Sequence, residues 1–125
     1  MAKSEKQKLK LLYIIQCLME KTDEEHAVTT QEIIDYLALQ GITAERKSIY
    51  TDIDLLIDFG MDIIKKPGRS GGYTLASRQF ELAELKLLVD AVQSSKFITT
   101  KKSRELIGKL ETLCSKYEAT QLHRQ

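Results

Sequence analysis

The stretch TTQEIIDYLALQGITAERKSIYTDIDLLIDFGMDIIKKPGRSGGYTL, residues 29–75, reads as helix, tight turn, helix and basic two-stranded ribbon. Thr29 stands three residues before Glu32, the spacing of a capping box, and Val28 and Ile33 occupy the two positions of a hydrophobic staple. The helix that starts there carries Ile33, Ile34, Leu37 and Ala38. It ends at Gly41, which suits the left-handed position beyond a helix end, with Ile42 folding back on Leu37. A second helix opens near Thr43 or Glu45, buries Ile49, Ile53, Leu56 and Ile57 at three- and four-residue steps, and stops at Gly60 with Met61 against Leu56. Met61 to Lys66 is short and rich in Ile, Pro67 to Gly72 is a turn cluster, and Tyr73, Thr74 and Leu75 return to β-prone character. That order is the layout of a winged helix-turn-helix, a module whose second helix enters a DNA major groove.

Upstream, Lys6 to Glu20 forms a helix with a broad apolar side of Leu11, Leu12, Ile14, Ile15, Leu18 and Met19, completing a three-helix winged domain over residues 1–77. Past Arg78 the texture changes. Phe80 to Ser95 is a strongly apolar helix, and a second helix over Thr100 to Glu118 carries Leu106, Leu110, Leu113 and Tyr117 at heptad-like steps. The short linker makes residues 78–125 a helical hairpin. The fold class is therefore mainly α with a small β-hairpin, a winged helix-turn-helix followed by a helical hairpin. The first hairpin helix has more apolar surface than one partner helix covers. Part of it must therefore meet the winged domain or another copy of the chain, and Leu85, Leu88, Val92, Leu106, Leu110, Leu113 and Tyr117 are expected to form a homodimer interface.

At 125 residues with 42% hydrophobic content, the chain has room for one compact domain and an appendage. No apolar run approaches the roughly twenty residues of a membrane span, and no signal-peptide core follows the charged N-terminus, so a cytoplasmic, nucleoid-associated location is expected. Cys17 and Cys114 are far apart and lack ligand-spaced neighbours, which favours small buried hydrophobes over a disulfide or a metal site. The net charge is only +1, but it is unevenly spread: residues 1–19 balance at +3 and residues 20–44 at −5. The acidic loop Asp23, Glu24, Glu25 should face away from DNA; the Lys3, Lys6, Lys8, Lys10 cluster either lies along DNA or is a solvated helix start.

With Ile49, Ile53, Leu56 and Ile57 inward, the recognition helix, about residues 44–59, presents Arg46, Lys47, Ser48, Tyr50 and Thr51 outward. These side chains suit guanine edges and phosphates. Cations at a helix start oppose its dipole, so an amphipathic exterior alone does not account for them. Asp52, Asp54 and Asp58 follow, and their charge should confine deep groove contact to the first two turns. The wing, residues 64–74, carries Lys65, Lys66 and Arg69 for the phosphate backbone. Catalysis finds no support: His26 and His123 lie in no nucleophile or metal pattern, and Gly68, Gly71 and Gly72 lack the lysine and hydroxyl of a phosphate loop. No catalytic residue, metal or cofactor is expected. The rival reading is a winged-helix module that binds proteins, which the modest net charge and apolar later helices favour.

The segment Ser48-Ile49-Tyr50-Thr51-Asp52-Ile53-Asp54-Leu55-Leu56, with Gly60-Met61-Asp62-Ile63 and Gly71-Gly72-Tyr73-Thr74-Leu75, resembles the N-terminal winged helix-turn-helix of DeoR-like bacterial transcription regulators of the WYL-domain group. Phe80-Glu81-Leu82-Ala83-Glu84-Leu85 looks like the helical segment after their wing. The resemblance covers nearly the whole chain. It implies a dimeric regulator on a partly palindromic double-stranded DNA operator, with Lys47, Ser48 and Tyr50 in the recognition helix and Arg69 in the wing. Thr51 stands where an Arg is frequent in that group. The chain stops at Gln125, before any WYL-type domain, which implies a fragment or a short relative without the effector-sensing part.

Overall fold

The computed structural model describes residues 3–68, 71–76 and 79–123, which divide into two compact units, Met1–Ser77 and Arg78–Gln125. The described residues are mainly helical, with one two-stranded antiparallel hairpin among them. No helix among the described residues is long and apolar enough to cross a membrane.

The first unit comprises α1 (Lys3–Lys21), α2 (Thr30–Leu39), α3 (Arg46–Phe59), β1 (Ile63–Lys65) and β2 (Tyr73–Leu75). The Thr29 hydroxyl accepts from the Glu32 N–H at 3.1 Å while the Glu32 carboxylate accepts from the Thr29 N–H at 3.1 Å, so the predicted capping box forms. At the other end of α2, the Ile42 N–H reaches the Leu37 carbonyl at 3.0 Å and Gly41 adopts φ +78°, the paired closure that needs a left-handed glycine. The same closure ends α3, where Met61 donates to Leu56 at 3.0 Å beyond Gly60. Ile14, Cys17, Leu18, Ile33, Leu37, Ile49 and Ile53 are fully buried where the three helices meet. Each contributes roughly 1.5–3 kcal/mol by leaving water, somewhat less for the smaller cysteine. Ile57, expected inside, is only partly buried. Burial pushes the Cys17 thiol up to about 11, which keeps it protonated at neutral pH.

The wing is fastened to the segment between α1 and α2 at two places. The Thr22 hydroxyl, wholly buried past the end of α1, donates to the Leu18 carbonyl at 2.6 Å and accepts from the Leu75 N–H at 3.0 Å. Val28 pairs with Tyr73 through two backbone hydrogen bonds of 3.0 and 2.8 Å, adding a third chain beside β2. The loop leading to Val28 is organised by Asp23. Its carboxylate accepts from the Glu25 and His26 N–H groups at 2.9 Å each and lies 2.8 Å from His26 Nδ1. Of the acidic loop read as a surface feature, Asp23 is therefore structural and buried.

The second unit contains α4 (Leu82–Ser94), α5 (Thr100–Glu111) and α6 (Lys116–His123). The helix expected to run unbroken over 100–118 is two helices. Thr112 closes α5 by turning its hydroxyl onto the Lys109 carbonyl at 2.6 Å, and buried Ser115 caps α6 by accepting from the Glu118 N–H at 3.1 Å. α6 packs on both α4 and α5, so the helical hairpin carries a third helix that covers part of its apolar surplus. Leu85, Val89, Cys114 and Leu122 form the core of this unit. Both cysteines are buried.

Candidate nucleic-acid interface

The start of α3 has no side-chain cap, because Glu45 at the capping position makes no such bond, and its first turn holds no acid. The amide end of the helix is left facing solvent beside Arg46 and Lys47, both exposed. Arg46 Nη2 donates to the Gln31 amide oxygen of α2 at 3.4 Å, a loose bond that steers the guanidinium without using its other donors. Tyr50 is half exposed, and Thr51 is exposed with its hydroxyl donating to the Lys47 carbonyl at 3.1 Å. Arg46, Lys47, Tyr50 and Thr51 therefore occur together on the exposed surface of the first turns of α3.

Ser48 is placed differently. It is partly buried, its hydroxyl donates to the Glu45 carbonyl at 2.9 Å and accepts from Lys10 Nζ at 2.8 Å. Lys10 itself is buried and also reaches Asp52 at 2.8 Å. Lys10 thus points inward from α1 and ties two successive turns of α3; of the basic N-terminal cluster, this member is a structural strut and has no surface to lay along DNA. The sequence signal was available, since Lys10 lies four, seven and eight residues before the core residues Ile14, Cys17 and Leu18.

The pairing changes the electrostatics of the helix. Asp52 is neutralised by Lys10, and Asp54 accepts from Lys65 Nζ of the wing at 2.8 Å. That hydrogen bond, and then the charge of Asp54, raise the Lys65 pKa. Two of the three carboxylates expected to repel phosphate are compensated, while Lys65 is spent partly on α3. Both partners of the Lys65–Asp54 pair remain more than half exposed, so the bridge orients wing and helix more than it stabilises them. Lys66 is exposed, and its N–H donates to the Gly72 carbonyl at 2.7 Å at the base of the turn. Arg69, Ser70 and the His123 side chain lie outside the described residues. Gly71 and Gly72 permit a close backbone approach: a Cβ on Gly72 would overlap the Val28 carbonyl oxygen, and one on Gly71 the Lys66 carbonyl oxygen.

In the second unit, Leu88, Val92, Leu106, Leu110 and Leu113 gather, with Ala91, Ile98 and Lys109, around an apolar groove of about 620 Å³. Two other residues expected in a dimer interface lie elsewhere. Leu85 is completely buried in the core of its own unit and has no surface left for a partner. Tyr117 sits on α6 with Lys116 Nζ 5.2 Å from its ring centroid, away from the groove lining.

Residues 12–68, from the middle of α1 to the turn of the wing, match the family model described as FokI, D3 domain. No curated protein and no solved structure matches the chain, and the likeness to DeoR-like, WYL-domain regulators gains no support from the family match. Over just under half of its length, then, the chain is similar to a D3 domain of FokI type.

Proposed function

We propose that the chain is a sequence-specific duplex-DNA-binding protein that regulates transcription, with the first two turns of α3 in the major groove and the wing on the phosphate backbone. The observation that carries this reading is the uncapped, acid-free start of α3, where Arg46, Lys47, Tyr50 and Thr51 are exposed together. The D3 family that residues 12–68 match consists of DNA-binding domains with a winged-helix-like fold, which favours the same partner. Such a helix start offers amide donors and flexible cations to phosphates and base edges alike.

The position of Ser48 refines which residues read sequence. Its hydroxyl already serves Lys10 and the Glu45 carbonyl, so Lys47 and Tyr50 are the side chains free to meet bases or phosphates. Selection from a random duplex pool tests this. Lys47→Ala is expected to relax the preference at one base position, worth roughly 1–3 kcal/mol, whereas Ser48→Ala keeps the preferred sequence. If both variants select the parental sequence with parental affinity, α3 does not read DNA through this face.

A homodimer on a partly palindromic operator completes the reading, as in the DeoR-like regulators that the motif resembles. The groove between α4 and α5 is the apolar surface for it, and two-fold symmetry would set half-sites about 34–36 Å apart or a multiple of that. Light scattering at tens of micromolar checks it: a dimer is expected for the parent and a monomer for Leu110→Glu, and a monomeric parent refutes the dimer. A protein-binding role instead is favoured by Leu55 and Phe59, 51% and 83% exposed one turn apart on the later part of α3. Under that rival, Phe59→Ala weakens partner capture and no duplex is selected.

A further inference from the structure

The net positive charge of the molecule lies outside the winged unit. Residues 1–77 hold ten Lys and Arg against twelve Asp and Glu, while residues 78–125 hold nine against six. Within the second unit the excess gathers in KFITTKKSR, residues 96–104, which holds four cations and no acid. Lys96, Lys101, Lys102 and Arg104 are all exposed. Lys102 approaches Glu105 only at 3.6 Å, and the side chains of Lys96, Lys101 and Arg104 make no hydrogen bond or ion pair among the described residues. In the winged unit, by contrast, Lys10, Lys65 and Arg46 are each engaged by another side chain.

An aromatic ring stands among these cations. Phe97 is 97% exposed, the most exposed large apolar side chain of the described residues. The loop around it is held by local bonds: the Phe97 N–H donates to the Ser95 hydroxyl at 3.3 Å, Ile98 lines the apolar groove, and Thr99 caps α5 by accepting from the Lys102 N–H at 3.1 Å. The neighbours of Phe97 are thus anchored while its ring is left in water, an arrangement that contributes nothing to the core of this unit.

We propose that the loop between α4 and α5, with the first turn of α5, is a second DNA contact: Lys96, Lys101, Lys102 and Arg104 neutralise phosphates, and Phe97 enters the groove between them as an apolar wedge. The inference rests on the DNA-binding reading above and adds a surface outside the winged unit. Cations supply affinity for any duplex, and an apolar ring set among them suits the minor groove, whose binders part base steps with such side chains. A membrane surface fits less well, because interfacial helices bury a whole apolar face, and that of α5 is occupied by Ile107 and Leu110 packing inside the unit.

The test compares the intact chain with the variant Lys96→Gln/Lys101→Gln/Lys102→Gln/Arg104→Gln by titrating random-sequence duplex at several salt concentrations. The slope of log affinity against log salt is expected to become shallower by about 3.6, at 0.9 per lost phosphate contact, with the selected sequence unchanged. Phe97→Ala should lower duplex affinity and leave the slope in place. Should the four-fold variant fail to fold by circular dichroism, Lys101→Gln/Arg104→Gln should still shift the slope by about 1.8. An unchanged slope in a parent that binds duplex overturns this inference alone. Loss of binding in the α5 variant beside unaltered binding in Lys47→Ala overturns the reading of α3 and leaves this one standing. A parent that binds no duplex overturns both, as does Phe97-dependent binding only to vesicles of phosphatidylserine and phosphatidylcholine.

Discussion

Gly72→Ala is expected to destabilise the winged unit by about 3 kcal/mol, the upper range for forcing an extra carbon into a filled site. The cause is steric, not conformational. Gly72 does not adopt a left-handed φ, but a Cβ there would overlap the Val28 carbonyl oxygen and crowd the following amide nitrogen. All of these atoms are backbone, so no rotamer change relieves the clash. The wing must move off Val28, losing the paired hydrogen bonds with Tyr73 and straining the Lys66–Gly72 bond at the base of the turn. Gly68 is the control: its φ of +97° makes alanine strained, yet nothing lies within 4 Å of the added carbon, so about 1–2 kcal/mol is expected. Urea melts of the two variants check the order. Equal losses would mean that the wing is not held against Val28 as described.

Lys10→Met is expected to cost about 3 kcal/mol, because removing one member of a mostly buried ion pair leaves the other charge uncompensated. The side chains of Lys10 and Asp52 are 9% and 14% exposed, and nothing else within the described structure replaces the ammonium at Asp52. The double variant Lys10→Met/Asp52→Leu should recover most of the loss, since apolar side chains of similar volume often serve as well at such a site. A second consequence concerns DNA. Lys10 has no exposed ammonium for a phosphate, so the double variant should bind duplex with the parental salt slope. A slope shallower by about 0.9 would show Lys10 contacting phosphate directly. Failure of the second substitution to restore stability would show that the pair is not a closed unit.

What was legible in the sequence was local chemistry. The Thr29–Glu32 box and the stops at Gly41 and Gly60 depend on residues within one turn of each other, and each forms where its spacing places it. The break between α5 and α6 is equally local, but the apolar periodicity runs across it. Leu106, Leu110, Leu113 and Tyr117 continue a helical step straight through Thr112 to Ser115, and Ser115 with Glu118 has the spacing of a helix start that the apolar pattern conceals. α6 covers Leu85 and Val89 within the unit, so Leu85, which the apolar pattern alone places at a partner subunit, has no face left for one. Pairings over distance were not legible at all. Lys10 meets Ser48 and Asp52, and Lys65 meets Asp54, only once the chain has folded. Cations and acids that looked like free surface charge are therefore partly a scaffold that sets Ser48 inward and leaves Arg46, Lys47, Tyr50 and Thr51 outward.

The most direct test of the central claim is the set of backbone amide signals that move when the isotope-labelled intact chain is titrated with a selected duplex in a nuclear magnetic resonance experiment. The account predicts that the largest shifts fall on Arg46 to Thr51, with Lys66, Gly71 and Gly72 of the wing, and that Ile14, Cys17 and Leu18 in the core stay in place. Shifts confined to Leu55, Phe59 and the α4–α5 groove, with the start of α3 unmoved, would contradict it.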